Sequence, residues 1–144
     1  MISIIDMNDK HKSEVIEMMR EFYASPAVST NGSEKIFQCD VENCLNSSPY
    51  LEGYVFIDND IILGYAMVAK SFSTEFGKPC IWIEDIYLKE AYCSKGIGSR
   101  FLSFIEKKYP QAILRLEVEA QNERAVHVYK KSGFEVLPYM EMKK

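Results

Sequence analysis

The chain has 144 residues, of which 47% are hydrophobic, 12% aromatic and 26% charged, a balance that builds a folded core and excludes a mainly disordered chain. Seven glycines and five prolines exclude a collagen-like or low-complexity class, and the length fits one domain. The formal net charge is −4, from 17 basic and 21 acidic residues, which argues against nucleic acid as a partner and favours small cationic ones.

The longest apolar stretches, Ile61–Leu63 and Tyr65–Ala69, fall far short of the ~20 residues of a spanning helix, so no membrane segment is expected. Met1–Ile5 is followed at once by Asp6, Asp9, Lys10 and His11. It reads as a first strand rather than a leader peptide, and a cytoplasmic location is expected. Cys39, Cys44, Cys80 and Cys93 form no CxxC pair, and the only histidines are His11 and His127. Free thiols and no metal site are the expectation.

Asn8 or Asp9 caps a predicted helix to about Tyr23, with Val15, Met19 and Phe22 forming its buried stripe. Ala24–Gly32 is a loop. Ser33 then caps a second helix, with Ile36 or Phe37, Val41, Cys44 and Leu45 on one face, ending at Asn46–Pro49. Tyr54–Ile57 and Ile61–Ala69 flank the turn Asp58-Asn59-Asp60 and read as a hairpin. A loop at Gly77-Lys78-Pro79 leads into the strand Cys80–Leu88. Helix Phe101–Lys108, strand Ile113–Val118 and helix Asn122–Ser132 follow, with Gly133 as the C′ glycine. Phe134–Leu137 and Tyr139–Met142 are predicted as final strand segments interrupted by Pro138. The fold class is α/β (α+β): a mixed central sheet, antiparallel early and parallel late, flanked by helices in one domain, 1–144.

Ile83–Lys108 is the most informative stretch. A strand ends near Leu88, the loop Ser94-Lys95-Gly96-Ile97-Gly98-Ser99 follows, and a helix starts at once. Unpaired amides and partial positive charge at a helix start, with glycines that permit close approach, make a site for phosphate. Lys95 adds a full positive charge. The Rossmann pattern fails because Phe101 stands where its third glycine belongs. The Walker pattern fails because its glycine spacing and Lys-Ser/Thr are absent. A helix-capping glycine turn is the plain structural alternative.

Cys93-Ser94-Lys95-Gly96-Ile97-Gly98 resembles the Arg/Gln-x-x-Gly-x-Gly/Ala acyl-CoA pyrophosphate loop of the GNAT-type N-acetyltransferases, and Gln121–Phe134 (QNERAVHVYKKSGF) resembles that family's second signature. The resemblance covers about Tyr54–Val136, and Ile83–Leu88 with its Glu-Asp pair is similar to the diamine and polyamine acetyltransferases. It implies the GNAT acyl-CoA N-acyltransferase fold, acetyl-CoA as cosubstrate, an amine acceptor, and a homodimer. Cys93 departs from the pattern, since Arg or Gln usually opens the loop.

Acetyl transfer from a thioester to an amine needs a neutral amine, although a free alkyl amine has a pKa of about 10. The chemistry therefore calls for a base, an oxyanion donor and a proton for the departing thiolate. Glu84, then Asp85, are the candidate bases. Alternation sends them to opposite faces of their strand unless a bulge intervenes, and an apolar setting raises a carboxylate's pKa. Tyr129 matches the family position near the CoA sulfur and is the candidate proton donor, against the reading of a core aromatic. Asn122 matches the family's Asn that helps hold the pantetheine arm and also suits an N-cap. His127 reads as a surface residue. The resemblance further implies that the backbone of Ile86, Tyr87 and Leu88 pairs with the pantetheine amides as an added strand. It also implies that an amide near Ile86 serves the oxyanion. A catalytically silent acyl-CoA-binding domain and a protein N-terminal or lysine acetyltransferase are the alternatives.

Overall fold

The local signals for helix starts are realised as hydrogen bonds. In the computed structural model, which describes all 144 residues, the Asn8 side chain accepts from the Lys10 amide at 3.1 Å while His11 Nδ1 accepts from the Asn8 amide at 3.1 Å. This reciprocal cap opens a short 3-10 turn that runs into helix α1, Lys12–Tyr23. Ser33 accepts from the Ile36 amide at 3.2 Å and starts α2, Glu34–Leu45. Phe37 and Val41 point into the core, whereas Ile36 is half exposed.

Strand β1 is Ser3–Asp6, β2 Leu51–Asp58, β3 Ile61–Ser73, β4 Lys78–Leu88 and β5 Ile113–Leu116, and they form one sheet in that order. All neighbours are antiparallel except β4 and β5, which are parallel. The β2–β3 turn places both Asn59 (φ 49°) and Asp60 (φ 66°) in the left-handed region. That geometry suits the twist of a hairpin, and Asn and Asp tolerate it. Helix α3, Ile97–Lys108, begins earlier than the predicted Phe101, and α4 spans Glu123–Lys131. Gly133 has φ 98° and follows α4 as expected of a C′ glycine. No helix is long and apolar enough to cross a membrane.

Two cores lie on opposite faces of the sheet. Val15, Met18 and Met19 of α1 and Phe37 and Val41 of α2 pack on Val55, Tyr65 and Met67. Ile97, Phe101, Leu102 and Ile105 of α3 pack on Tyr54, Phe56, Ala66, Val68, Ile81 and Ile83, with Tyr129 and Phe134 at the margin. The C-terminal end of α3 is tied to the sheet by Lys108 Nζ donating to the Tyr54 hydroxyl at 2.7 Å and by Tyr109 donating to Glu52 at 2.6 Å.

The predicted strands Phe134–Leu137 and Tyr139–Met142 do not form. Pro138 supplies no amide, and residues 135–144 make no backbone–backbone hydrogen bond. A run without ladder bonds has no strand to join. The segment is held instead by side chains, with the Tyr139 hydroxyl donating to Glu75. Strand β5 also stops at Leu116, short of the expected Val118.

Gly64 marks the tightest crossing of β3 and β4: a Cβ there would stand 2.2 Å from the Tyr87 carbonyl oxygen. Gly64→Ala is expected to destabilise the fold by ~1–3 kcal/mol, because backbone must move to relieve the clash. Urea denaturation gives the value.

Candidate active site

Glycine chemistry sets the first half of the site. Ser94 (φ 61°) and Gly96 (φ 77°) both lie in the left-handed region, and Gly96 is the N-cap residue of α3 without any side-chain cap bond. The first intrahelical bond runs from the Arg100 amide to the Gly96 carbonyl at 3.0 Å. The amides of Ile97, Gly98 and Ser99 therefore have no partner in the chain. A Cβ on Gly96 or Gly98 would meet nothing within 4 Å. The buried side chain of Ile97 fixes the loop from below, and Lys95 and Ser99 are exposed. Open space over three aimed amides at a positive helix end fits an anion such as a pyrophosphate. Cys93 turns elsewhere: its Sγ lies 3.6 Å from the Leu88 carbonyl and 3.7 Å from that of Lys89.

Gly98 is the clean place to test this cradle. Its φ is not in the left-handed region and a side chain there has space. An acidic residue in the first turn also favours the helix itself. Gly98→Asp is expected to keep its thermal midpoint while losing about tenfold or more in affinity for acetyl-CoA, the ligand that the loop's resemblance implies, a change of about 1.4 kcal/mol by calorimetry. Gly96→Val adds backbone strain at φ 77° and is the less clean variant.

Strand pairing sets the second half. Parallel pairing of β4 with β5 runs from Cys80↔Ile113 to Ile83↔Leu116 and ends there, while β4 continues to Leu88. The edge of β4 over Glu84–Leu88 thus has no neighbour on the β5 side, and Ile86, Tyr87 and Leu88 are free there to pair with an extended amide chain. An open groove of ≈ 1340 Å³ passes Ser99, Leu116, Tyr129 and Glu141 between α3, β5, α4 and the C-terminal segment.

The register of β4 against β3 decides which way the acidic pair points. Met67 pairs with Asp85 and Val68 with Ile83, so Glu84 is the extra residue of a β-bulge. Ile81 and Ile83 face α3, and beyond the bulge Ile86 and Leu88 do so too. Asp85 is left on the α1/α2 face, 3% exposed. It accepts from the Tyr65 hydroxyl at 2.7 Å and the Tyr23 hydroxyl at 3.0 Å. Burial pushes the Asp85 carboxyl up, and the two phenols pull it back down. Glu84 reaches solvent. Desolvation by the surrounding chain, then the charges of Asp85, Asp40 and Glu141, raise its pKa. Asp40, on α2, is raised to about 6 by burial and then by Asp85. Glu117, just past β5, is pushed up to about 7 by desolvation and then by Glu141, with Glu84 adding to the effect.

Tyr129 has its ring centroid 6.0 Å from that of Phe134. Its hydroxyl has no hydrogen-bond partner in the chain, and burial raises its pKa, which keeps the phenol protonated at neutral pH. Asn122 is the N-cap of α4, accepting from the Ala125 amide at 3.4 Å. His127 is exposed. No group of three or more His, Cys, Asp or Glu side chains is placed to hold a metal ion.

Tyr23, Asp40, Tyr65, Glu117 and Glu141 join this neighbourhood without any sequence motif to announce them. The one available signal is alternation in β3, which puts Tyr65 and Met67 on one face.

A five-stranded mixed sheet whose fourth and fifth strands part beside an uncapped glycine helix start is the architecture of an acyl-CoA-dependent transferase fold. The profile of the Acetyltransferase (GNAT) family matches residues 14–134, and the chain belongs to that family. The thialysine N-epsilon-acetyltransferase of Bos taurus is 31% identical over an alignment of 115 positions that covers 76% of this chain and 62% of that protein. The chain therefore matches less than two thirds of that relative's length. Among solved structures, the aminoglycoside N-acetyltransferase AAC(6')-Iy bound to a CoA bisubstrate analogue superposes with a TM-score of 0.82. That match has 13% identity and covers 100% of this chain and 97% of the other. A predicted acetyltransferase of Clostridium acetobutylicum, solved with acetyl-CoA, has a TM-score of 0.80, 18% identity, and coverage of 99% and 96%. At these identities the structural likeness concerns the fold.

Proposed function

We propose that the chain is an acetyl-CoA-dependent N-acetyltransferase that acts on a primary amine of a small cationic molecule by direct attack in a ternary complex. One observation carries this reading: a solvent-reaching carboxylate, Glu84, stands at the bulge where β4 parts from β5. The amides of α3 and the free edge of β4 would hold acetyl-CoA through its pyrophosphate and pantetheine, with Lys95 adding charge and Asn122 supporting the arm. The thioester carbon then faces an amine arriving at Glu84. The ammonium first gives a proton to Glu84, with Asp85 the second candidate, and the neutral nitrogen then bonds to that carbon and loses a further proton to solvent. An amide near Ile86 serves the oxyanion. The carbon–sulfur bond breaks and Tyr129 protonates the leaving sulfur.

Acidic groups around Glu84, namely Asp40, Asp85, Glu117 and Glu141, favour a protonated amine over a neutral or acidic acceptor. An amine panel with acetyl-CoA, read by release of free thiol, tests the reading. Turnover is expected with diamines and with the ε-amine of thialysine, the acceptor named for the Bos taurus relative. Turnover confined to peptides would reassign the acceptor class. Acetyl-CoA binding without thiol release from any amine would mean a silent acyl-CoA-binding domain. The same reading includes a homodimer, checked by light scattering, and a cytoplasmic setting.

A further inference from the structure

The Asp85 carboxylate is enclosed on the α1/α2 face and held by two phenols from different elements. Tyr23 is the last residue of α1, and Tyr65 lies in β3. One phenol serves each carboxylate oxygen, Tyr23 at Oδ1 and Tyr65 at Oδ2. The other titratable groups near Asp85 are Asp40 and Cys44 of α2 and the adjacent Glu84 of β4, and none is a cation. With no counter-ion, the two hydroxyls are the only polar stabilisation that the carboxylate receives from side chains. A buried carboxylate with both oxygens occupied has little capacity left to meet a substrate. Glu84, next in the chain and turned outward by the bulge, has no hydrogen bond and is reachable.

We propose that Tyr23 and Tyr65 are positioning residues that hold Asp85 as a buried anion, and that this anion acts through its neighbour Glu84, the carboxylate that meets the acceptor amine. The inference rests on the acetyltransferase reading and deepens it by giving the two adjacent carboxylates different roles. A fixed negative charge beside Glu84 disfavours a second one, which makes Glu84 a stronger proton acceptor. The direction matches the raised pKa of Glu84, to which Asp85 contributes next after desolvation, ahead of Asp40 and of Glu141 in the C-terminal segment, with Glu117 beyond β5 the other carboxylate that faces it. Asp40 responds in the same sense. The rings of Tyr23 and Tyr65 also pack edge-on against Phe22, with centroids 5.3 Å and 6.5 Å from its own, and this packing does not involve the hydroxyls, so it is retained when one is removed.

The test uses two readouts. The first is the carboxyl titration of Asp85 and Glu84 in the free protein, followed by carbon NMR, which needs no acceptor. The second is the acid limb of kcat/KM for the best amine. In Tyr65→Phe the Asp85 midpoint is expected to rise by about one pH unit, and in Tyr23→Phe, at the more open oxygen, by less. In Asp85→Asn, whose amide oxygen accepts from one hydroxyl while its NH2 donates to the oxygen of the other, the Glu84 midpoint and the acid limb are both expected to fall by about one unit, as loss of a like charge requires. The sign is decisive. If Asp85 were itself the base, Tyr65→Phe would move the acid limb upward with the Asp85 midpoint, and Asp85→Asn would abolish turnover at every pH. That result overturns the proposal. An Asp85 midpoint that stays in place in both tyrosine variants also overturns it. Absence of turnover in the unmodified chain overturns the acetyltransferase reading instead, and the NMR titrations still decide whether the phenols hold the anion.

Discussion

Replacing Glu84 by glutamine is expected to lower kcat/KM by ~10²–10⁴-fold at neutral pH, the usual contribution of a positioned base. Glutamine keeps the size and the outward position that the bulge imposes but takes no proton. At neutral pH a free alkyl amine with a pKa of about 10 is almost wholly protonated, so the variant depends on the rare neutral fraction. That fraction grows as pH rises. The deficit should therefore shrink steadily toward the amine's own pKa, and a pH–rate profile from neutral to strongly alkaline conditions displays it. Wild-type activity should fall on the acid side, as Glu84 takes up its proton. Its pKa, raised by desolvation and then by neighbouring carboxylates, places that fall above the ordinary glutamate value. A deficit of constant size across pH would identify Glu84 as a binding group for the ammonium rather than the proton acceptor. A normal profile would pass the role to Asp85, with Asp85→Asn as the next measurement.

Tyr129→Phe is expected to cost on the order of 10²-fold or more in kcat with acetyl-CoA affinity largely kept. The structure makes this substitution unusually clean. The Tyr129 ring packs edge-on against Phe134 at the margin of the α3-side core, and phenylalanine retains that contact. The hydroxyl has no partner within the chain, so its removal strands no buried donor or acceptor. Thermal stability should change little. A loss of kcat therefore reports the leaving group: an interaction that grows only as charge develops on sulfur lowers kcat without weakening ground-state binding. Calorimetry with acetyl-CoA separates the two effects. Near-normal kcat, with chemistry shown to be rate-limiting, would mean that water or another donor protonates the sulfur. The fold and the loop at Ser94–Ser99 would be untouched by that result.

The elements that local chemistry governs were legible from the residues. Asn8 and Ser33 mark helix starts because their side chains accept from amides two or three residues on. Asp58-Asn59-Asp60 marks a hairpin because two successive residues must enter the left-handed region, which Asn and Asp tolerate. The glycine loop before α3 was legible for the same reason: it is a backbone conformation, and residue type governs backbone conformation directly. The acidic pair in Cys80–Leu88 stood out as charge in an apolar strand. Where a predicted element failed, as at Phe134–Met142, hydrophobic content suggested a strand, but a strand needs a partner and Pro138 gives no amide.

Tertiary structure decided the rest. Period-2 alternation is a property of one strand, whereas a bulge is a property of two, so only the pairing of Met67 with Asp85 and Val68 with Ile83 shows that Glu84 points out and Asp85 in. The parting of β4 and β5 after Ile83 likewise depends on where a second strand stops. The clamp on Asp85 joins residues 23, 65 and 85 from a helix and two strands. Their separations in the chain match no helix or strand period, because packing of α1 against the sheet brings them together.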